Sequence, residues 1–158
     1  MFTDLRSGRN KMLLETLTHV MLDREMFSQV TTRAHDTGVH SSTYRGKYFT
    51  PADEDYRMCV ARRESNGRYW AINSTGSYRG AYQVSKELAV GMGWMIQKEL
   101  RAAHVPNASE IGRTLRATPM NRWARYWQDF GFWVTFNHDG HRSGAQHWTG
   151  GRYACATR

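Results

Sequence analysis

The stretch from Cys59 to Gln83, CVARRESNGRYWAINSTGSYRGAYQ, holds the residue types that could carry out chemistry. One carboxylic acid, Glu64, is followed by small turn residues and then by a loop dense in aromatics and amides. That order suits a cleft for a polar, ring-shaped substrate, with a single acid placed to protonate it. A general acid working near neutral pH must still carry its proton, and partial burial disfavours the ionised form of a carboxyl. The alternative is a surface glutamate paired with Arg62, Arg63 or Arg68, because exposed carboxylates far outnumber catalytic ones.

The helix before Glu64 decides where the acid points. Thr50 is a suitable N-cap, Pro51 suits the first helical position, and Asp53, Glu54 and Asp55 complement the positive end of the dipole. Thr50 and Asp53 form a loose capping box. Tyr56, Cys59, Val60 and Arg63 then share one face, with Glu64 at its edge, and Asn66 with Gly67 stop the helix. The acid is therefore expected in the last turn, at the border of core and cleft. Beyond Gln83, Ser85 can cap a helix over Lys86 to Leu100, where Gly91 and Gly93 allow a kink or a close helix approach. Asn107 with Glu110 precedes a short helix over Ile111 to Arg116. Thr118 and Pro119 open a strong helix whose core stripe is Met120, Trp123, Ala124, Trp127, Phe130, Gly131 and Val134. Tyr126 and Trp133 lie off that stripe and are placed to reach a cleft. The final segment, Phe136 to Cys155, is rich in glycine and polar residues and reads as loop or short strand.

The motifs E-S-N-G at Glu64 to Gly67, A-I-N at Ala71 to Asn73 and G-A-Y-Q at Gly80 to Gln83 resemble the lysozyme-like transglycosylase domain. More narrowly, they resemble the resuscitation-promoting-factor type of actinobacteria and their phages. The resemblance covers Glu64 to Gln83 closely and the remainder weakly. It implies a mainly α, lysozyme-like (α+β) fold, with Glu64 as catalytic acid and Ser65, Asn73, Gly80, Tyr82 and Gln83 along a glycan groove. Asn137 to Gly140 resembles the asparagine motif that closes the groove in related lytic transglycosylases, which adds Asn137 as a substrate contact. His147 and Trp148 are further groove candidates, since rings stack on sugar faces. In the narrow family a cysteine directly precedes the glutamate; here Arg63 stands there, so that family's disulfide pattern does not transfer. Cys59 and Cys155 instead lie at the two ends of the core. Reduced thiols are the cytosolic default, whereas a bridge, expected in an extracytoplasmic protein, would restrict the unfolded chain by up to about 4 kcal/mol.

Cutting a glycosidic bond needs an acid for the leaving oxygen and something to stabilise an oxocarbenium-like centre. No second acid occurs between Ser65 and Lys86, Glu87 reads as a first-turn dipole residue, and Asp129 and Asp139 have no motif behind them. A single-acid scheme fits better. The resemblance implies one, in which the muramyl 6-hydroxyl attacks and leaves a 1,6-anhydro product. No cofactor is implied, and His138, Asp139, His141 and His147 match no zinc spacing.

Composition sets the outer bounds. The chain has 158 residues, a net charge of +8, six Trp, eight Tyr and six Phe, enough for one domain with a real core. Its basicity suits a polyanionic partner, including a bacterial wall. The cations are scattered and no nucleic-acid-binding signature appears, so nucleic acid is not the expected partner. No apolar run is long enough to span a membrane. Lys11 to Leu22 is interrupted by Glu15 and His19 and lacks a signal-peptide cleavage site. Asn10 to Val30 reads as an amphipathic helix and Thr31 to Tyr48 as a linker or wrapping arm. The expected organisation is an N-terminal helix and arm over residues 1–49 and a lysozyme-like catalytic domain over 50–158. The expected partners are peptidoglycan glycan strands and, through residues 1–49, other proteins of a phage particle such as its tail. The expected location is extracytoplasmic, in a virion or secreted.

Overall fold

A computed structural model describes residues 37–156, so the amphipathic helix expected over Asn10 to Val30 lies outside the described residues. Among the described residues four α-helices carry the fold: α1 (Glu54–Ser65), α2 (Lys86–Ala102), α3 (Ala108–Ala117) and α4 (Arg125–Asn137). Short 3₁₀ turns precede α1 (Pro51–Asp53), precede α4 (Met120–Arg122) and follow it (Ser143–Trp148). The described chain is mainly helical. Its β content is limited to isolated antiparallel bridges, Thr37 with Arg68, Ile72 with Arg79 and Arg79 with Val84.

The helix α4 is the centre of the molecule. Every residue from Tyr126 to Asn137 is buried, the polar Gln128, Asp129, Thr135 and Asn137 included. The predicted stripe is buried, and so are Tyr126 and Trp133, which therefore do not reach a cleft. The reason is that α4 is covered on several sides. The arm before α1 lays Tyr44 flat on Phe130, with centroids 4.2 Å apart, and sets Phe49 edge-on to Trp133 at 5.2 Å. The turn Ser143–Trp148 packs so closely on the far side that a Cβ at Gly144 would overlap the carbonyl of Thr135. Trp148 then packs against Phe132 and Tyr82. The helix expected from Pro119 is broken: Trp123 and Ala124 are extended, and α4 starts only at Arg125.

The C-terminal end of α1 follows the sequence, whereas its start lies at Glu54, with Asp53 and not Thr50 at the N-cap and no side-chain capping bond. Thr50 and Pro51 open a 3₁₀ turn, and the Thr50 hydroxyl donates to Asp53 at 2.7 Å. Asn66 closes α1 in the left-handed conformation at φ 55°, with Gly67 at φ 74° behind it. Ser85 caps α2 by accepting from the Leu88 amide at 3.1 Å. Of the two glycines in α2, Gly93 provides the close approach: a Cβ there would lie 2.6 Å from Arg116 Cγ on α3, whereas Gly91 faces open space. The helix α3 begins earlier than expected, at Ala108, because Asn107 takes a left-handed conformation at φ 61° and turns the chain straight into it. The final segment forms a 3₁₀ turn and loop, with no strand among its described residues. Cys155 is bonded to Cys59, tying that segment to α1.

Candidate functional site

Glu64 occupies the last turn of α1, and its side chain is 23% exposed. Its immediate partner is Arg63. The guanidinium of Arg63 meets Glu64 Oε1 through Nε at 3.0 Å and Nη2 at 2.8 Å. Of the two sequence alternatives, the arginine pairing is therefore present, and the acid also stands at the border of the interior. Arg63 itself is buried and serves as a tie. Its Nη2 donates to the Trp148 carbonyl at 2.7 Å and its Nη1 to the Tyr153 carbonyl at 3.2 Å. The chain crosses over it at Gly151, where φ is +116° and a Cβ would come within 2.6 Å of Arg63 Cδ. Glycine is needed there both for the backbone and for the space. The Cys59–Cys155 bridge holds the same segment from the other side. One oxygen of Glu64, Oε2, takes no hydrogen bond from any described residue. That oxygen is left open to an approaching group.

The residues expected along a groove divide in two. Asn73 and Gln83 are half-buried and His147 is exposed. Asn73 spends its amide on its own turn, accepting from the Tyr78 amide at 3.1 Å and donating to Thr75 at 3.1 Å. Gln83, at φ 48°, folds back to donate to the Gly80 carbonyl at 3.0 Å. The other five expected contacts are interior. Ser65 donates to the Ala61 carbonyl, one turn back on α1. Gly80, at φ +83°, sits against Gln128, with no room for a side chain. Tyr82 is fully buried. Asn137 donates to the Tyr48 carbonyl at 3.3 Å. Trp148 donates to the Tyr82 carbonyl at 2.9 Å. These five are interior and line no surface: Ser65, Asn137 and Trp148 donate to backbone carbonyls, and the Tyr82 hydroxyl is engaged by Asp129 and Arg57.

A buried polar network joins α1, α4 and the arm, and motif reading did not reveal it. Asp129, with no exposed surface, accepts from the Tyr69 and Tyr82 hydroxyls on Oδ1 and from the Thr43 amide and hydroxyl on Oδ2. Arg57, 1% exposed, lies 3.8 Å from Asp129 and donates to Glu54, Tyr82 and the His40 carbonyl. Asp129, considered as a second acid, is thus a structural acceptor closed to substrate. Burial alone would lower the Arg57 pKa; Tyr82, Asp129 and Glu54 more than offset it and hold the guanidinium firmly charged. Burial, reinforced by Asp129, pushes the Tyr69 and Tyr82 phenols above their ordinary value, so both remain donors. The i, i+3 spacing of Glu54 and Arg57 was the one local clue to this network. Asp139 is fully exposed, and hydrogen bonds from the His141 amide and from Ser143 lower its pKa.

A cleft of about 320 Å³ opens between the loop at Gly76 to Arg79, the start of α2 and the end of α3. None of the expected site residues lines it. Among the described residues, no group of three or more His, Cys, Asp or Glu side chains could hold a metal ion, and no helix is long and apolar enough to cross a membrane. No family model, curated protein or solved structure gives a significant match to the chain.

Proposed function

We propose that the protein is a lysozyme-like glycosidase, a lytic transglycosylase or muramidase, that cleaves β-1,4 bonds of peptidoglycan with Glu64 as its acid. The carrying observation is Glu64 itself: a partly exposed carboxyl at the capped end of α1, braced by Arg63, with one oxygen uncommitted. The sequence motifs around it support the same reading. In this scheme Glu64 protonates the leaving glycosidic oxygen, and the bond to the anomeric carbon breaks. The muramyl 6-hydroxyl attacks that carbon and gives up its proton to the Glu64 carboxylate, leaving a 1,6-anhydro end; attack by water gives a reducing end instead. The Cys59–Cys155 bridge fits an oxidising, extracytoplasmic setting, and a phage particle or its tail is the setting we favour. The test is release of anhydro-muropeptides or reducing ends from purified peptidoglycan. Wild-type protein is expected to release them and Glu64→Gln to lose at least about a hundredfold in rate; unchanged turnover in Glu64→Gln rejects the role of the acid.

A second reading has its own support. Five of the expected groove residues are interior, and Glu64 is paired with Arg63. Both observations favour a wall-binding or virion structural protein on a lysozyme-like fold that no longer turns over substrate. Wild-type protein that cosediments with peptidoglycan and releases no product would decide for this reading.

A further inference from the structure

The cleft at the junction of α2 and α3 has a charge pattern that the glycosidase reading does not use. Three cations line it: Arg79 from the loop, Lys86 from the first turn of α2 and Arg116 from the last turn of α3. None of them is within ion-pair distance of a carboxylate among the described residues, whereas Arg57, Arg63 and Arg142 are each matched to an acid. Two of the three are held in place. Arg79 donates to the Gly76 carbonyl and to Asn121 at 3.1 Å. Arg116 donates to Gln97 at 2.7 Å and lies 3.5 Å from the centroid of the exposed Trp94 ring. Stacking on an indole face fixes a guanidinium without neutralising it. Desolvation and, after it, the neighbouring Arg113 lower the Arg116 pKa. A concave site lined by one sign of charge concentrates anions.

The floor narrows the choice of anion. It is aliphatic, from Val84, Ala89, Val90, Leu115 and Met120, and no aromatic ring lines the cleft. A sugar or a nucleobase would call for a ring to stack on. Small aliphatic side chains instead offer contact to small aliphatic side chains, and Ser77 in the lining, whose hydroxyl accepts from Thr75, keeps a donor proton for a peptide carbonyl. A volume of about 320 Å³ suits a short ligand. We infer that this cleft binds a short, aliphatic, carboxylate-bearing peptide, its carboxylates held by Arg79 and Lys86, with the Arg116 guanidinium stacked on Trp94 outside the lining and adding to the positive field. The inference goes beyond the glycosidase reading and does not depend on it, since Glu64 is not part of the cleft.

The test is calorimetric titration of the full chain with the tripeptide Ala-Glu-Ala, free at its C-terminus. Two controls accompany it: Ala-Gln-Ala amide, which has the same shape without the carboxylates, and inorganic phosphate. The acidic peptide is expected to bind, and the neutral one to bind at least about tenfold more weakly. Lys86→Gln, an exposed change at the helix start that leaves the core untouched, should weaken the acidic peptide about fivefold. Glu64→Gln should bind the peptide as wild type does, which separates failure of this inference from failure of the glycosidase reading. Absence of binding, equal binding of the neutral peptide, phosphate binding as tight as that of Ala-Glu-Ala, an unaffected Lys86→Gln, or loss of binding in Glu64→Gln would each overturn the assignment.

Discussion

Replacing Asp129 by asparagine tests whether the buried polar network around it governs stability. The carboxylate takes four hydrogen bonds, two on each oxygen, in a position with no exposed surface. Asparagine keeps one acceptor oxygen and presents an amide donor where the other stood. Two of the four donors then face another donor. Each hydrogen bond to a buried charge is worth roughly 1.5–3 kcal/mol. Arg57 loses its 3.8 Å partner but keeps Glu54 at 2.6 Å, so the full cost of an orphaned buried charge does not apply. The expected loss is about 3–5 kcal/mol, a large part of the 5–15 kcal/mol typical of a domain. That corresponds to a fall in melting temperature of about 10–20 °C for a chain of this size. Urea denaturation and thermal melts followed by circular dichroism measure both quantities. Tyr82→Phe should cost less, about 1.5–3 kcal/mol, because Asp129 keeps three donors. A loss below about 1 kcal/mol in Asp129→Asn would refute the reasoning, since it would mean that the donors find other acceptors and the carboxylate is not what they were ordered around.

Other outcomes follow from the same geometry. Reducing the Cys59–Cys155 bridge, which spans 96 positions, should lower stability by about 4–5 kcal/mol on the chain-entropy argument; equal urea midpoints with and without reductant would contradict it. Stability should also fall at high pH. Tyr48 is pushed up to about 12 by desolvation and by its hydrogen bond to Glu99, and burial raises Tyr44, Tyr69 and Tyr82 as well. A phenol with a higher pKa in the fold binds its proton more tightly there. The stability it contributes is whole below the ordinary tyrosine value of about 10 and is lost as pH rises from there through the folded value. Melting temperatures recorded between about pH 9 and pH 11.5 should fall steadily above pH 10, with tyrosinate absorbance appearing in the same transition; a flat profile would contradict the burial argument.

Much of the helical framework could be read from the chain because its signals are local. Asn66 and Gly67 stop α1, and Ser85 starts α2, by rules that involve only neighbouring residues, whereas Thr50 and Pro51 open only the 3₁₀ turn before α1. The break at Trp123 and Ala124 escaped periodicity because Met120, Trp123, Ala124 and Trp127 stay on the core side whether or not the helix is continuous. Tyr126 and Trp133 were placed wrongly because a stripe supposes one covered face, and α4 is covered by the arm on one side and by the turn Ser143–Trp148 on another. The expected groove contacts met a similar limit. Tyr82 and Trp148 are residue types that suit a sugar, yet the same rings fill a core. Only long-range partners, such as Asp129, 47 positions from Tyr82, decide between the two.

The arginines explain why Glu64 differs from Glu54 and Asp129. Arg57 ties the helix to the arm through the His40 carbonyl and lies against Asp129 of α4, Arg142 reaches Asp53 at its start, and Arg63 ties its end to residues 148 and 153. Glu54 and Asp129 spend both oxygens on internal donors. Glu64 spends only Oε1. Glutamine at this position would retain an acceptor for Arg63 while removing the group that can exchange a proton. Truncation to alanine would also release Arg63, leaving a buried guanidinium without its counter-ion, and could loosen the segment over it. Glu64→Gln is therefore the informative substitution: a loss of turnover in it, at unchanged melting temperature, would be attributable to the proton and not to a displaced C-terminal segment.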